Sequence, residues 1–268
     1  MYLAYWKFKE KPFENTPDPR FLYKSANHEE ALTRMSYCIE ERKGAAMLTG
    51  EYGCGKTVLI RTLLKELLRD ESKYKVALIV NPSFSPSDLL KEIIFQFENT
   101  FLAGSKLMLM HRLNDILFQC MNESKKTVVI VDEAQAIPDH AMFEELRLLL
   151  NFQKNDQFLL TLLLVGQPEL SQRVERLPQL KQRLSMAYHL NKLNENDISK
   201  YIDYRCAVAG RNDMIFNEPA IKFISEKTSG IPRKINTVCE LSLLQGMFEK
   251  KTIIDETIVA KVIEEGWL

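Results

Sequence analysis

The sequence predicts an α/β protein with a parallel sheet, followed by a helical domain. Three observations predict it. Between residues 27 and 190, five short apolar runs rich in Leu and β-branched residues alternate with segments of helical periodicity. Such runs are what strands buried on both faces look like, and strands separated by helices pair in parallel. A glycine-rich segment stands between the first run and the helix that follows it. After residue 190 the apolar runs stop and only helical spacing remains.

The elements follow in order. Residues 1–26 are expected to be irregular, because Pro12, Pro17 and Pro19 forbid a continuous helix. Residues 27–42 read as a helix, with Asn27 as its N-cap and Leu32, Met35 and Ile39 on one face. The predicted strands are 45–49 (AAMLT), 76–80 (VALIV), 127–131 (TVVIV), 158–165 (FLLTLLLV) and 186–190 (MAYHL). The predicted helices between them are 56–69, 87–97, 107–121 and 140–151. Four more follow at 194–209, 218–229, 232–245 and 255–265. Pro219 and Pro232 suit first helical turns, where a missing N–H costs nothing. The expected organisation is an N-terminal strap (1–26), a nucleotide-binding α/β domain (27–190) and a helical lid domain (191–268).

Composition narrows the function. The 268 residues carry 36 Lys+Arg against 36 Asp+Glu, with 46% hydrophobic residues. That balance excludes a disordered or collagen-like chain and argues against a protein that holds nucleic acid by bulk positive charge. No window is long and apolar enough for a membrane helix, so no membrane insertion is expected. The opening MYLAYWKFKEKPF lacks the apolar core of a secretion signal. Five Cys (38, 54, 120, 206, 239) show no CxxC spacing, which fits reduced thiols and a cytoplasmic location.

The glycine-rich segment carries the chemistry. Gly50, Glu51, Tyr52, Gly53, Cys54, Gly55, Lys56 and Thr57 fit GxxxxGK[ST], after a strand and at the start of a helix that continues with Val58. Glycines let successive backbone N–H groups turn inward as an anion nest, and the helix N-terminus adds its positive end. Lys56 brings a point charge to the β- and γ-phosphates, and the Thr57 hydroxyl can ligate Mg²⁺. The expected ligands are ATP or ADP with Mg²⁺. A second half of the site is expected on another strand end. TVVIVDEAQ places Asp132 at the carboxyl end of an apolar strand, where it would hold the Mg²⁺ water shell. Glu133 follows, placed to orient or deprotonate an attacking water. An extra apolar run lies between Thr57 and Asp132, which favours the additional-strand, catalytic-glutamate class over nucleoside-monophosphate kinases.

Three further residues stand where a motor would use them. Gln167 ends the fourth strand and is placed to feel a γ-phosphate. Arg183 precedes the last strand and is a candidate arginine finger, with Arg176 as its competitor. Arg233 opens a lid helix beside Pro232 and is expected to point back at the nucleotide.

FKEKPFENTPDPRFLY, GEYGCGKT, VVIVDEAQ, EELRLLLNF, LLVGQPEL and GIPRKIN, spread from the N-terminus to Asn236, together resemble the AAA+ ATPases of the ExeA/GspA type. The resemblance implies a P-loop NTPase three-layer sandwich, with a five-stranded parallel sheet ordered 5-1-4-3-2 and a C-terminal helical lid. It implies Walker A roles for Lys56 and Thr57 and Walker B roles for Asp132 and Glu133. It implies sensor 1 and sensor 2 roles for Gln167 and Arg233, and it makes Arg183 the finger. It also implies that the leader wraps the ATPase core, with Phe21, Leu22 and Tyr23 packed beside the adenine; a strap filling a surface groove is the plainer alternative. ATP-driven homo-oligomers are implied, as a ring or filament, hexameric when ATP-bound.

Two roles then compete. One is an energy-coupling ATPase of a secretion, envelope, pilus or exopolysaccharide export system, held near the inner membrane by a protein partner. The other is a TniB/MuB-like transposition regulator whose ATP-bound filament coats DNA and recruits a transposase. Residues 191–268 carry 11 Lys+Arg against 12 Asp+Glu, and residues 1–190 carry 25 against 24. Neither part has the basic excess that a DNA-coating filament calls for, so the export role is preferred and DNA stays a possible ligand.

Overall fold

The computed structural model describes residues 1–266. They form two compact units, each closed around its own core. One comprises Asn27–Glu51 and Ile60–Leu190; the other comprises Met1–Ala26, Tyr52–Leu59 and the chain from Asn191 onward.

The first unit is a sheet covered by helices. Strands β1 (Ala45–Gly50), β2 (Tyr74–Ile79), β3 (Lys126–Val131), β4 (Leu160–Gly166) and β5 (Leu184–Leu190) pair in the order β2-β3-β4-β1-β5, all parallel. This is the order 5-1-4-3-2 implied by the resemblance. Every residue of β1 and β4 is buried, as is β3 after its first residue. The edge strands differ from the expectation that all five are buried on both faces. β5 alternates half-buried with exposed residues up to Leu190, and β2 is fully buried only at Ala77 and Ile79. An edge strand has one neighbour, so its far side meets water. Val80, read as the end of a strand, is 58% exposed and lies beyond β2.

Alternation sends Ala45, Met47, Val129, Val131, Leu162 and Leu164 to one face of the sheet. There they share a core with α4 (Pro86–Glu98), α5 (Lys106–Asn122), α6 (His140–Leu149), α7 (Pro168–Glu175) and α8 (Pro178–Lys181). Ala46, Leu48, Val128, Ile130, Leu163 and Val165 face the other way and are equally buried. On that side stand the apolar stripes of α2 (Ala26–Glu40) and of the later turns of α3 (Lys56–Leu67). Helix α2 starts at Ala26, so Asn27 lies inside its first turn instead of capping it. Elements of this unit that went unread include α7 and α8, each with a proline in its first turn, and a two-residue hairpin. The hairpin pairs Gln153–Lys154 with Gln157–Phe158. Asn155 and Asp156 between them both have positive φ, the backbone that a tight two-residue hairpin loop demands.

The second unit is helical. It contains α9 (Glu195–Val208), α10 (Glu218–Thr228), α11 (Pro232–Phe248) and α12 (Glu256–Glu264). Asn194, Asn217 and Asp255 cap α9, α10 and α12 through their side chains. The leader is part of this unit's core. Its α1 (Tyr2–Tyr5) is a helix that the prolines allow because they come later, and Pro19–Phe21 forms a 3-10 turn. Trp6, Phe8, Phe13 and Phe21 are buried with Ile202, Phe216 and Leu243. The Trp6 indole donates to Leu243 O at 2.7 Å. Among the described residues no helix is long and apolar enough to cross a membrane.

Candidate nucleotide site

The parallel strands place the ends of β1, β3 and β4 on one edge of the sheet, with Thr49 level with Gly166 and Val131 level with Leu164. Open parallel sheets bind ligands at that edge. The residues that the sequence singled out fall into two sets, one in each unit.

The sheet set begins where β3 ends. Asp132 is 4% exposed; its N–H donates to Ile79 O at 2.8 Å, and its Oδ1 accepts from the Glu133 N–H at 2.9 Å. Glu133 has φ 51° and ψ 35°, a left-handed backbone uncommon outside glycine. That turn separates the two carboxylates: Asp132 stays buried while Glu133 is half-buried. Gln135 then bridges two of the expected residues. Its Nε2 donates to Glu133 Oε2 at 2.5 Å, and its Oε1 accepts from the Gln167 N–H at 3.0 Å. Gln167 is the N-cap residue of α7, yet its side chain makes no capping bond. From the last turn of α7, Arg173 Nη1 donates to Gln135 O at 2.7 Å and Ile137 O at 2.5 Å. Gly166 is needed beside them, since a Cβ there would stand 2.6 Å from Gln135 Oε1.

The loop set lies in the helical unit. Gly53 and Gly55 have φ +81° and +97°, the left-handed backbone that an anion-binding nest uses. Cys54 and Lys56 are buried, Thr57 and Val58 half-buried, and the Leu59 N–H donates to Gly55 O as α3 begins. A buried Lys56 beside glycines of positive φ at a helix start fits a polyphosphate, and the Thr57 hydroxyl is an oxygen donor of the kind that suits Mg²⁺. Tyr52 is 59% exposed and holds Arg233. The Arg233 Nη1 donates to the Tyr52 hydroxyl, the guanidinium lies 4.7 Å from the ring centre, and the Arg233 N–H donates to Gly53 O at 3.2 Å. A Cβ on Gly53 would meet Arg233 Cβ at 2.7 Å.

Phe21 is buried, with the Arg205 guanidinium 4.9 Å from its ring. The Tyr23 hydroxyl donates to Asp197 Oδ1 at 3.2 Å, and its ring sits edge-on to Tyr201. Both pack with the lid helices. Leu22 is buried. Arg183 is half-buried and engaged: Nη1 donates to Leu150 O at 3.2 Å and Nη2 to Asn151 Oδ1 at 3.1 Å. The exposed Arg176 has no side-chain hydrogen bond or ion pair among the described residues. Gln135, Arg173 and Arg205 went unread in the sequence. Only Gln135 carried a signal, as a polar residue two places after Glu133 in DEAQ.

The family model for the AAA domain matches residues 39–174. General secretion pathway protein A of Aeromonas hydrophila is 37% identical over 247 residues, 91% of this chain and 44% of that protein. The chain thus spans under half the length of this curated relative. Two solved structures share the fold. Drosophila ORC bound to DNA matches with a TM-score of 0.74 at 14% identity, over 99% of this chain and 66% of that one. The Aeropyrum pernix ORC2 protein, in ADPNP-ADP complexes, matches with a TM-score of 0.71 at 20% identity, over 96% of this chain and 72% of that one. The chain belongs to the AAA domain family, as an AAA+ ATPase of the general secretion pathway protein A type.

Proposed function

We propose that the chain hydrolyses Mg-ATP to drive oligomer assembly and conformational change in a secretion, envelope, pilus or exopolysaccharide export system. The observation that carries the ATP chemistry is the loop 50–57, with glycines at positive φ and a buried Lys56 at the start of α3. The relationship to general secretion pathway protein A supports the export role.

In this reading the loop N–H groups and Lys56 grip the β- and γ-phosphates. Thr57 and Asp132, the latter through water, would hold Mg²⁺, which when bound neutralises charge on the phosphate oxygens. Glu133 takes the proton of the attacking water or orients it. Gln167 reads the γ-phosphate, and Arg233 reaches it after exchanging its bond to Tyr52. The trans-acting role falls better on Arg176 than on Arg183, whose guanidinium is already occupied by Leu150 and Asn151. The burial of Phe21 and the packing of half-buried Tyr23 against the lid helices support a bracing role over adenine packing. The expected setting is cytoplasmic, beside the inner membrane through a protein partner.

The test is ATPase rate and sedimentation, with and without duplex DNA, at two salt concentrations. Lys56→Ala should lose nucleotide binding. Glu133→Gln should keep it, lose about 10²–10⁴-fold in kcat and leave oligomers that persist. Mixing Lys56→Ala with Arg176→Ala should restore turnover, and mixing it with Arg183→Ala should show which arginine acts in trans. DNA-stimulated, salt-sensitive assembly would replace the export role with transposition regulation.

A further inference from the structure

Gln135 is neither a phosphate ligand nor a proton acceptor, yet it touches two members of the hydrolytic machinery. Its orientation is unambiguous. The Gln167 backbone N–H can only donate, so the atom facing it at 3.0 Å is the carboxamide oxygen. The NH₂ group therefore faces the Glu133 carboxylate, at 2.5 Å from Oε2. The bond engages one carboxylate oxygen, and Gln135 binds it from a fixed platform. Its own carbonyl is held by Arg173, whose guanidinium lies 4.8 Å from the Phe143 ring. Gly166 leaves the room the carboxamide occupies. Meanwhile Glu133 sits on left-handed backbone and is half-buried, where an unsupported carboxylate would sample several rotamers.

We propose that Gln135 is a positioning residue for hydrolysis: its carboxamide ties the Glu133 carboxylate to the main chain at the end of β4, so the base and that strand end move together. The inference rests on the reading of Glu133 as the group that activates water. Gln135 does not touch the substrate; it restricts where the base points. Misplacing a catalytic group by about 1 Å costs on the order of 10²-fold in rate, so the effect belongs in kcat and not in nucleotide affinity.

Two variants of the full chain test it beside Glu133→Gln. Gln135→Ala removes both bonds. Gln135→Glu keeps the shape and the acceptor for the Gln167 N–H, but as a carboxylate it has no hydrogen to donate to Glu133. Both should lower kcat about 10- to 100-fold, with affinity for a non-hydrolysable ATP analogue unchanged within about twofold. Adding Gln135→Ala to Glu133→Gln should cost nothing further, because the two act as one unit. Wild-type or raised kcat in both single variants overturns the inference, as does a matching loss of analogue affinity or an additive loss in the double variant. If Gln135→Ala does not fold, the isosteric Gln135→Glu decides the question by the same outcomes. Wild-type turnover in Glu133→Gln overturns the reading of the base itself, and with it this inference. Loss there with no loss in the Gln135 variants overturns the inference alone.

Discussion

In the sheet unit a buried segment is a run of sequence neighbours: Leu160–Gly166 is buried at every position. In the strap-and-lid unit burial joins residues far apart in the chain, as where Trp6 meets Leu243, 237 positions on. The sheet unit carries much of its fold in local pattern. The lid unit needs chain closure first, and an interior built that way depends on a few large side chains. A lost contact should therefore cost more in the second unit than in the first.

The largest expected effect is on Trp6. Trp6→Ala removes a side chain 1% exposed together with its hydrogen bond to Leu243 O. It should destabilise by about 3–5 kcal/mol. Hydrogen exchange should show protection lost in α9–α12 while the interior strands of the sheet keep theirs; uniform loss across both units would break the comparison. Next comes Arg205, 6% exposed, which braces the strap from the lid side. Its guanidinium donates to Pro12 O at 2.5 Å, Glu14 O at 2.9 Å and the Tyr201 hydroxyl at 3.0 Å. Arg205→Ala should cost about 2–4 kcal/mol, since it leaves buried acceptors unpaired, and should open the strap to limited proteolysis.

The smallest effect lies in the sheet unit. Burial alone would raise the pKa of the Glu40 carboxyl, but hydrogen bonds from Lys126, Tyr74 and Lys73 push it down to about 2. The carboxyl is 36% exposed. Its contribution, less than about 1 kcal/mol after solvent screening, is fully present above the ordinary carboxylate range. It is lost as pH falls toward 2. Glu40→Gln should lower the Tm slightly at pH 7 and match the parent near pH 2. A gap that persists at acid pH would mean packing, not charge, is what Glu40 supplies.

How much the sequence showed follows the same division. β1, β3 and β4 were legible because burial on both faces writes itself as a continuous apolar run. The phosphate loop was legible because its chemistry needs contiguous residues. Gln135 was not, since its role depends on the left-handed turn at Glu133 and on where β4 ends beside it. Arg205 looks like any helix arginine until the strap carbonyls arrive from residues 12 and 14. Arg183 reads as an arginine available to a neighbour, and only the fold brings Leu150 and Asn151 to it.

The shared core of strap and lid has a consequence for synthesis. Residues 1–26, carrying Trp6, Phe8, Phe13 and Phe21, are made well before the helices that cover them. The sheet unit, complete by Leu190, has its partners in hand well before. During that interval the newborn chain trails an uncovered aromatic leader, the kind of surface that recruits holding chaperones or promotes aggregation. Any interruption of translation within the lid leaves a folded sheet with that leader still exposed.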